Sequence, residues 1–261
     1  MRIGFVGAGN MGGAIIKGYA VEVFVFDIDK EKTAALAAMG LNVKIADSFA
    51  ELVGASEAIV LCVKPNVMGD VLDELSALIK GQMIISVAAG ISIEFIKEKL
   101  GAEIKVVRVM PNTPAMVGEG MSAMSASDNL TEEDKAEVKT LFSAVGSAVW
   151  VPEEQMDIVT GISGSSPAYA YLYIEGLVRA GVEAGLSEEE ATIMAAQSTL
   201  GAGKMVLENL GQVDPRQLCV NVCSPGGTTI EAVKVLEAEN FVETVTKAAQ
   251  ASAAKSKLMT K

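Results

Sequence analysis

The 261-residue chain contains no histidine, a single tryptophan and three cysteines, and only 5% of its residues are aromatic. Without histidine it cannot use the histidine–acid dyads that serve many alcohol and hydroxy-acid dehydrogenases. Cys62, Cys219 and Cys223 are odd in number and lie in apolar or helical surroundings, which fits reduced thiols better than disulfides. Cys219 and Cys223 share the i, i+4 spacing of a helix face, yet no further Cys pair completes a zinc site, so no metal is expected. Cations are scarce as well: 21 Lys and Arg stand against 33 Asp and Glu, a formal net charge of −12. Such a chain lacks the clustered cations that displace counterions from a phosphate backbone, and nucleic acid is not an expected partner.

Long apolar runs are missing too. No stretch reaches the roughly 18 uninterrupted apolar residues of a membrane span. The opening MRIGFVGAGN passes from one basic residue straight into a glycine turn, without the apolar core and cleavage site of a signal peptide. The expectation is a cytoplasmic protein with no membrane partner. Half of the residues are nevertheless apolar, enough for two cores of roughly 100 to 150 residues each.

From Ile3 to Trp150, short and nearly uncharged runs (IGFVG, VEVFVF, EAIVLCV, MIISVAA, IKVVRVM) alternate with helix-like segments near 10–19, 29–39, 67–79 and 93–100. That alternation predicts an α/β, doubly wound, mostly parallel sheet of the Rossmann type over residues 1–150. After Trp150 the strand-like runs stop and helix start signals recur: Ser166 before Pro167, Ser187 with Glu190, Asp214 before Pro215, and Asn240 with Glu243. Residues 151–261 therefore read as an all-α domain. Its segment AYAYLYIEGLVRAGVEAG is apolar around most of its circumference, which calls for cover from a neighbouring subunit or a place at the centre of a monomeric bundle.

The opening strand runs into Gly7-Ala8-Gly9-Asn10-Met11-Gly12, a G-x-G-x-x-G spacing at the start of a helix. Glycines there allow a tight turn, close approach of the backbone to a pyrophosphate and close helix–sheet packing. Asp27 ends the next strand about 20 residues on. An acid at that place accepts hydrogen bonds from an adenosine ribose and repels a 2′-phosphate, which favours NADH over NADPH. The alternatives are that Asp27 caps the following helix and that Lys30 approaches a phosphate. The second glycine turn, CSPGGTTIEAVKVL, brings free backbone N–H groups and a hydroxyl to one helix N-terminus, suited either to a carboxylate or to ordinary capping. Reduction of a protonated imine needs little acid–base help and suits a chain without histidine.

Taken together, GFVGAGNMGGAI, VKP at 63–65, SVAAGIS at 86–92, RVMPNTPA at 108–115, TGISGSSPAY at 160–169 and SPGGTTIEAVKVLE at 224–237 make the chain resemble the pyrroline-5-carboxylate reductases. The resemblance implies hydride transfer from NADPH or NADH to Δ1-pyrroline-5-carboxylate, giving L-proline. It puts the substrate carboxylate on Gly226, Gly227, Thr228 and Thr229, with the Thr229 hydroxyl as the catalytic group bonded to the ring nitrogen. It also puts Glu153 near the substrate, Asn221 within reach of the cofactor, and Val63, Lys64, Pro65 and Ala89 on the nicotinamide side. Residues 151–261 become the substrate-binding and dimerisation domain of a homodimer, with a decamer as the larger assembly.

This chain departs from the family in carrying Asp214-Pro215 and Cys219-Val220 where a His-Pro and a Lys-Asp are common, and in a very short link around Ala20 from the first helix to the second strand. Two rival readings remain. A β-hydroxyacid-dehydrogenase-like reductase would use Lys204, and a non-catalytic dinucleotide sensor would bind cofactor without turnover.

Overall fold

A computed structural model describes residues 1–19 and 21–260, so the short link at Ala20 lies outside the described residues. Eight strands form one sheet: β1 (Ile3–Val6), β2 (Val23–Phe26), β3 (Val43–Ile45), β4 (Ala58–Leu61), β5 (Met83–Ser86), β6 (Val106–Met110), β7 (Gly120–Ala126) and β8 (Gly146–Trp150). Their order is β3-β2-β1-β4-β5-β6-β7-β8. All neighbours are parallel except β6 and β7. The chain moves outward from β1 to β3 and returns on the other side of β1 at β4, so a crevice opens beyond the ends of β1 and β4, the place where doubly wound sheets bind ligands.

Helices α1 (Asn10–Tyr19), α2 (Lys30–Ala38), α3 (Phe49–Ala55), α4 (Met68–Ser76), α5 (Ile93–Leu100) and α6 (Glu132–Ser143) connect these strands. Strand side chains alternate between two cores, because successive residues point to opposite faces of the pleat. Phe5, Val60 and Ile85 pack with Ile15 and Ile16 of α1 on one side. Val6, Ile59, Leu61 and Ile84 pack with Leu72 and Leu75 of α4 on the other. Burial on both faces explains why β1, β4 and β5 carry no charge.

β3, β7 and β8 lie outside the strands that the sequence pattern indicates, β3 at one edge of the sheet and β7 and β8 towards the other. The tight turn at Thr113–Val117, closed by Gly118 at φ +79°, is too short for a crossover helix, so β7 returns antiparallel to β6. α2 is capped by Asp29, whose carboxylate accepts from the Glu31 amide, and not by Asp27.

The remaining helices are α7 (Met156–Val159), α8 (Ser166–Glu183), α9 (Glu188–Glu208), α10 (Pro215–Asn221), α11 (Thr228–Ala238) and α12 (Phe241–Met259). Two of the expected start signals act differently. Ser166 is the first residue of α8 rather than a cap, since a π-turn at Thr160–Gly164 leads almost directly into it. The Asn240 side chain turns back to the Ala238 carbonyl instead of capping α12. Ser187 with Glu190 forms a full capping box, and Asp214 caps α10.

The chain divides into two compact units, residues 1–165 with 250–261, and residues 166–249. In the second unit α8 and α9 form a helical hairpin in which a Cβ added to Gly181 would lie 3.0 Å from that of Ala191. Among the described residues of that unit only Ala191 and Ala195 are buried, while Tyr171 and Leu172 of α8 are 60% and 67% exposed. A helix this apolar and this uncovered needs another surface. No helix among the described residues is long and apolar enough to cross a membrane.

Candidate functional site

The first glycine turn is built as its spacing requires. Gly7 adopts φ +103° and donates its amide to the Phe26 carbonyl at 2.8 Å, locking the turn to the end of β2. A Cβ at Gly7 would stand 2.7 Å from the Cys62 carbonyl, and one at Gly12 would stand 2.3 Å from the Gly7 carbonyl. Gly9 is the contrast: an added Cβ would meet nothing within 4 Å. The outer two glycines thus hold the turn against the sheet, and the middle one leaves open the approach to the N-terminus of α1. That helix has no acidic residue in its first turn to oppose an anion. The residues fit a dinucleotide pyrophosphate.

Asp27, immediately after β2, is buried, and its two oxygens serve two backbone amides: Oδ2 accepts from Ala8 at 2.7 Å and Oδ1 from Asp29 at 2.9 Å. The carboxylate therefore ties the glycine turn to the segment after β2. Lys30, which lies over the Phe26 ring, pairs with Asp47 at 3.9 Å, and Lys32 pairs with Asp29 at 3.3 Å. Both lysines near Asp27 are thus partnered by acids.

A cavity of about 380 Å³ brings together Gly7, Gly9, Asp27, Val63 and Lys64, with Phe26 and Phe49 forming an aromatic wall, ring centroids 4.5 Å apart. Cys62 also faces it. Burial pushes that thiol up to about 12, so it is a neutral apolar wall rather than a nucleophile. Asn10 joins Ala8 and Gly9 on a separate 240 Å³ cavity beside Lys17 and Lys32, and Met11 is half-buried in α1. Lys64 is extended before a 3-10 turn that starts at Pro65. Ala89 follows β5 in a bend set by Gly90 at φ +73°.

Glu153 starts a 3-10 turn after β8, and its Oε1 accepts from the Ile93 amide at 2.9 Å and from Arg108 at 3.2 Å. Arg108 and Asn112, to which the sequence motifs give no role of their own, tie this region together. Asn112 donates its amide to the Ser163 carbonyl at 3.0 Å and accepts from the Met121 amide at 2.8 Å. It thereby joins the RVMPNTPA segment to the π-turn of TGISGSSPAY. A Cβ on Gly164 would fall 2.6 Å from the Met110 Cε. Their sequence signal is that both segments, RVMPNTPA and TGISGSSPAY, are among the blocks that carry the family resemblance.

In the second unit, Gly226 takes φ +70° and Gly227 donates to the Ser224 carbonyl at 2.9 Å, forming the Pro-Gly-Gly turn. Gly227 is the N-cap of α11 and supplies no side-chain acceptor, so the first amides of the helix point out uncapped beside exposed Thr228 and Thr229. This arrangement suits an anion. Asn221, at the end of α10, uses its Oδ1 to accept from Gln217 at 2.8 Å. Lys204 is exposed on α9, and Cβ atoms added at Gly201 and Gly203 would meet nothing within 4 Å, so among the described residues nothing packs closely on these glycines.

Comparison with known proteins matches residues 153–259 to a family described as pyrroline-5-carboxylate reductase dimerisation, and residues 2–90 to one described as NADP oxidoreductase, coenzyme F420-dependent. The chain is 40% identical to a pyrroline-5-carboxylate reductase of Escherichia coli, over 96% of this chain and 97% of the relative. Among solved structures, a pyrroline-5-carboxylate reductase from Coxiella burnetii superposes with a TM-score of 0.93 at 32% identity, covering 100% of this chain and 98% of the other. A Plasmodium falciparum pyrroline carboxylate reductase with NADP bound gives a TM-score of 0.87 at 34% identity, again over 100% and 98%.

Proposed function

Because the chain belongs to the pyrroline-5-carboxylate reductase family, we propose that its two glycine turns divide the work, the first holding the cofactor and the second the substrate carboxylate. The chain reduces Δ1-pyrroline-5-carboxylate to L-proline, the last step of proline synthesis, with a nicotinamide dinucleotide supplying the hydride. The observation that carries the substrate assignment is the uncapped N-terminus of α11 after Gly226 and Gly227. Its outward amides, with Thr228, bind and orient the carboxylate. The Thr229 hydroxyl holds the ring nitrogen in place and keeps its proton where the product amine needs it. Glu153 adds a carboxylate near the cationic ring.

On the cofactor side, Gly7, Ala8, Gly9, Asn10, Met11 and Gly12 cradle the pyrophosphate, and Asp27 receives the adenosine ribose. Val63, Lys64, Pro65 and Ala89 line the nicotinamide, and Asn221 reaches the cofactor. We read a preference for NADH from Asp27, since the nearby cations Lys30 and Lys32 are already paired with Asp47 and Asp29 and a 2′-phosphate would meet unbalanced negative charge. Residues 1–150 carry the cofactor, and residues 151–261 carry the substrate turn and dimerisation. The protein forms a homo-oligomer, for which we propose a dimer covering the exposed face of α8, a decamer as the larger assembly, and a cytoplasmic location.

Replacing Thr229 by Val tests the catalytic assignment. Loss of one hydrogen bond to a charged group, about 1.5–3 kcal/mol, should lower kcat by roughly 10- to 100-fold with cofactor KM unchanged. Wild-type kinetics in the variant would refute the role of the hydroxyl.

A further inference from the structure

The end of α12 is fastened to the first compact unit by hydroxyl groups. Ser256, only 7% exposed, donates its hydroxyl to Asp157 Oδ1 of α7 at 2.7 Å. The Thr260 hydroxyl is 3.5 Å from the same oxygen, too long to replace that bond. One turn before Ser256, Ser252 shares a hydroxyl–hydroxyl hydrogen bond of 2.8 Å with Ser165, which follows the π-turn. Residues four apart lie on one face of a helix, so this face of α12 is clipped to the 156–165 segment at two points. Alanine is the better helix former and stands at 251, 253 and 254, so the buried serine at 256 is explained by its hydroxyl.

The fastening holds a backbone group, the Met259 carbonyl, against the bend after β5. A Cβ added to Gly90 would stand 2.8 Å from the Met259 oxygen and 3.4 Å from the Met259 Cβ. Gly90 also adopts φ +73°, a conformation that side chains disfavour. The bend is tied on either side of this contact. Ala88 donates its amide to the Ser86 hydroxyl at 3.3 Å, and Ile93 donates its amide to Glu153 at 2.9 Å. Ala89 and Gly90 lie between those ties, and the Met259 backbone packs on that span. All of these groups belong to the first unit.

We propose that Ser256, anchored on Asp157, is a positioning residue for the cofactor: it sets the end of α12 against Gly90 and so fixes the Ala89–Gly90 bend that the nicotinamide packs against. The inference rests on reading Ala89 as part of the nicotinamide side. Ser256 and Asp157 act through the Met259 backbone and not by contact with a ligand. A bend released from α12 samples several positions, and only some of them support the ring in the orientation that hydride transfer needs. The adenosine and pyrophosphate half of the cofactor, assigned to Gly7–Gly12 and Asp27, does not depend on this bend.

The test compares two probes on the full-length oligomer: NADH, titrated by its fluorescence, and ADP-ribose, which lacks the nicotinamide, titrated by calorimetry. Ser256→Ala should raise the dissociation constant of NADH about fivefold, the worth of one hydrogen bond, and leave that of ADP-ribose unchanged. In steady-state assays cofactor KM should rise while KM for pyrroline-5-carboxylate stays the same. Asp157→Ala should give the same pattern and serves if Ser256→Ala folds poorly. Asp157→Asn, which keeps an oxygen for the Ser256 hydroxyl, should bind NADH nearly as the wild type does. Gly90→Ala displaces the bend directly and should also weaken NADH alone. Equal weakening of NADH and ADP-ribose in Ser256→Ala would overturn the proposal, because a general loss of packing acts on both halves of the cofactor. Weakened NADH binding in Gly90→Ala, with none in Ser256→Ala or Asp157→Ala, would overturn the positioning role and leave the nicotinamide reading standing. Unchanged NADH binding in Gly90→Ala would overturn that reading and the proposal with it.

Discussion

The Oε1 of Glu153 accepts from the buried Arg108 guanidinium at 3.2 Å while also accepting from the Ile93 amide at 2.9 Å. One oxygen thus joins β6, the start of α5 and the segment after β8. Any contact of Glu153 with substrate falls to its second oxygen, and the residue that resemblance places near the substrate is also a structural tie.

This joint role predicts asymmetric mutants. Glu153→Ala strands the Arg108 charge, whose side chain is 8% exposed. It should destabilise the fold by about 2 kcal/mol, less than the 3–5 of a fully buried pair because Glu153 is one-third exposed. The double variant with Arg108→Met should regain part of that loss in urea titrations. Equal destabilisation of the single and double variants would show that the stranded charge is not the cause.

Asp27 predicts a trade. On the proposed ribose assignment, Asp27→Ser removes a charge that would oppose a 2′-phosphate and should shift the ratio of kcat/KM toward NADPH by about tenfold. It also leaves at least one of the Ala8 and Asp29 amides without its acceptor, a cost of about 1–3 kcal/mol, so KM should rise for both cofactors. Steady-state kinetics with each cofactor check this. An unchanged ratio would remove Asp27 from cofactor choice.

Much of this architecture is legible in the sequence because the buried parallel strands must be charge-free and the first glycine turn must keep its spacing. β7, GMSAMSA, is not legible: small residues replace the β-branched ones that mark a strand, and it is recruited by its neighbours in the sheet. β3 is a three-residue edge strand without a buried residue to reveal a period. In the candidate site, Gly7, Gly9, Asp27, Val63 and Lys64 line one cavity, as their motifs suggest. The bridge through Asn112 escapes because it depends on backbone groups brought together only by folding.

Asp134 supplies a pH dependence. Its partial burial raises the carboxyl, but hydrogen bonds from Lys105 and Thr131 outweigh that and leave it below its ordinary value. A depressed folded value means that its contribution is complete above the unfolded carboxylate range, near pH ~4, and is lost as pH falls through the folded value. Asp134→Asn should therefore be less stable than wild type at pH 7, with the gap closing as the solution is acidified below about pH 4. Chemical denaturation at several pH values measures this, and a gap independent of pH would assign the effect to the lost capping box alone.

The most direct measurement is the oxidation of NADH and of NADPH, followed by absorbance, with Δ1-pyrroline-5-carboxylate as substrate and the product identified by chromatography. The account predicts stoichiometric L-proline with either cofactor and higher kcat/KM with NADH. Dinucleotide binding without turnover would contradict it.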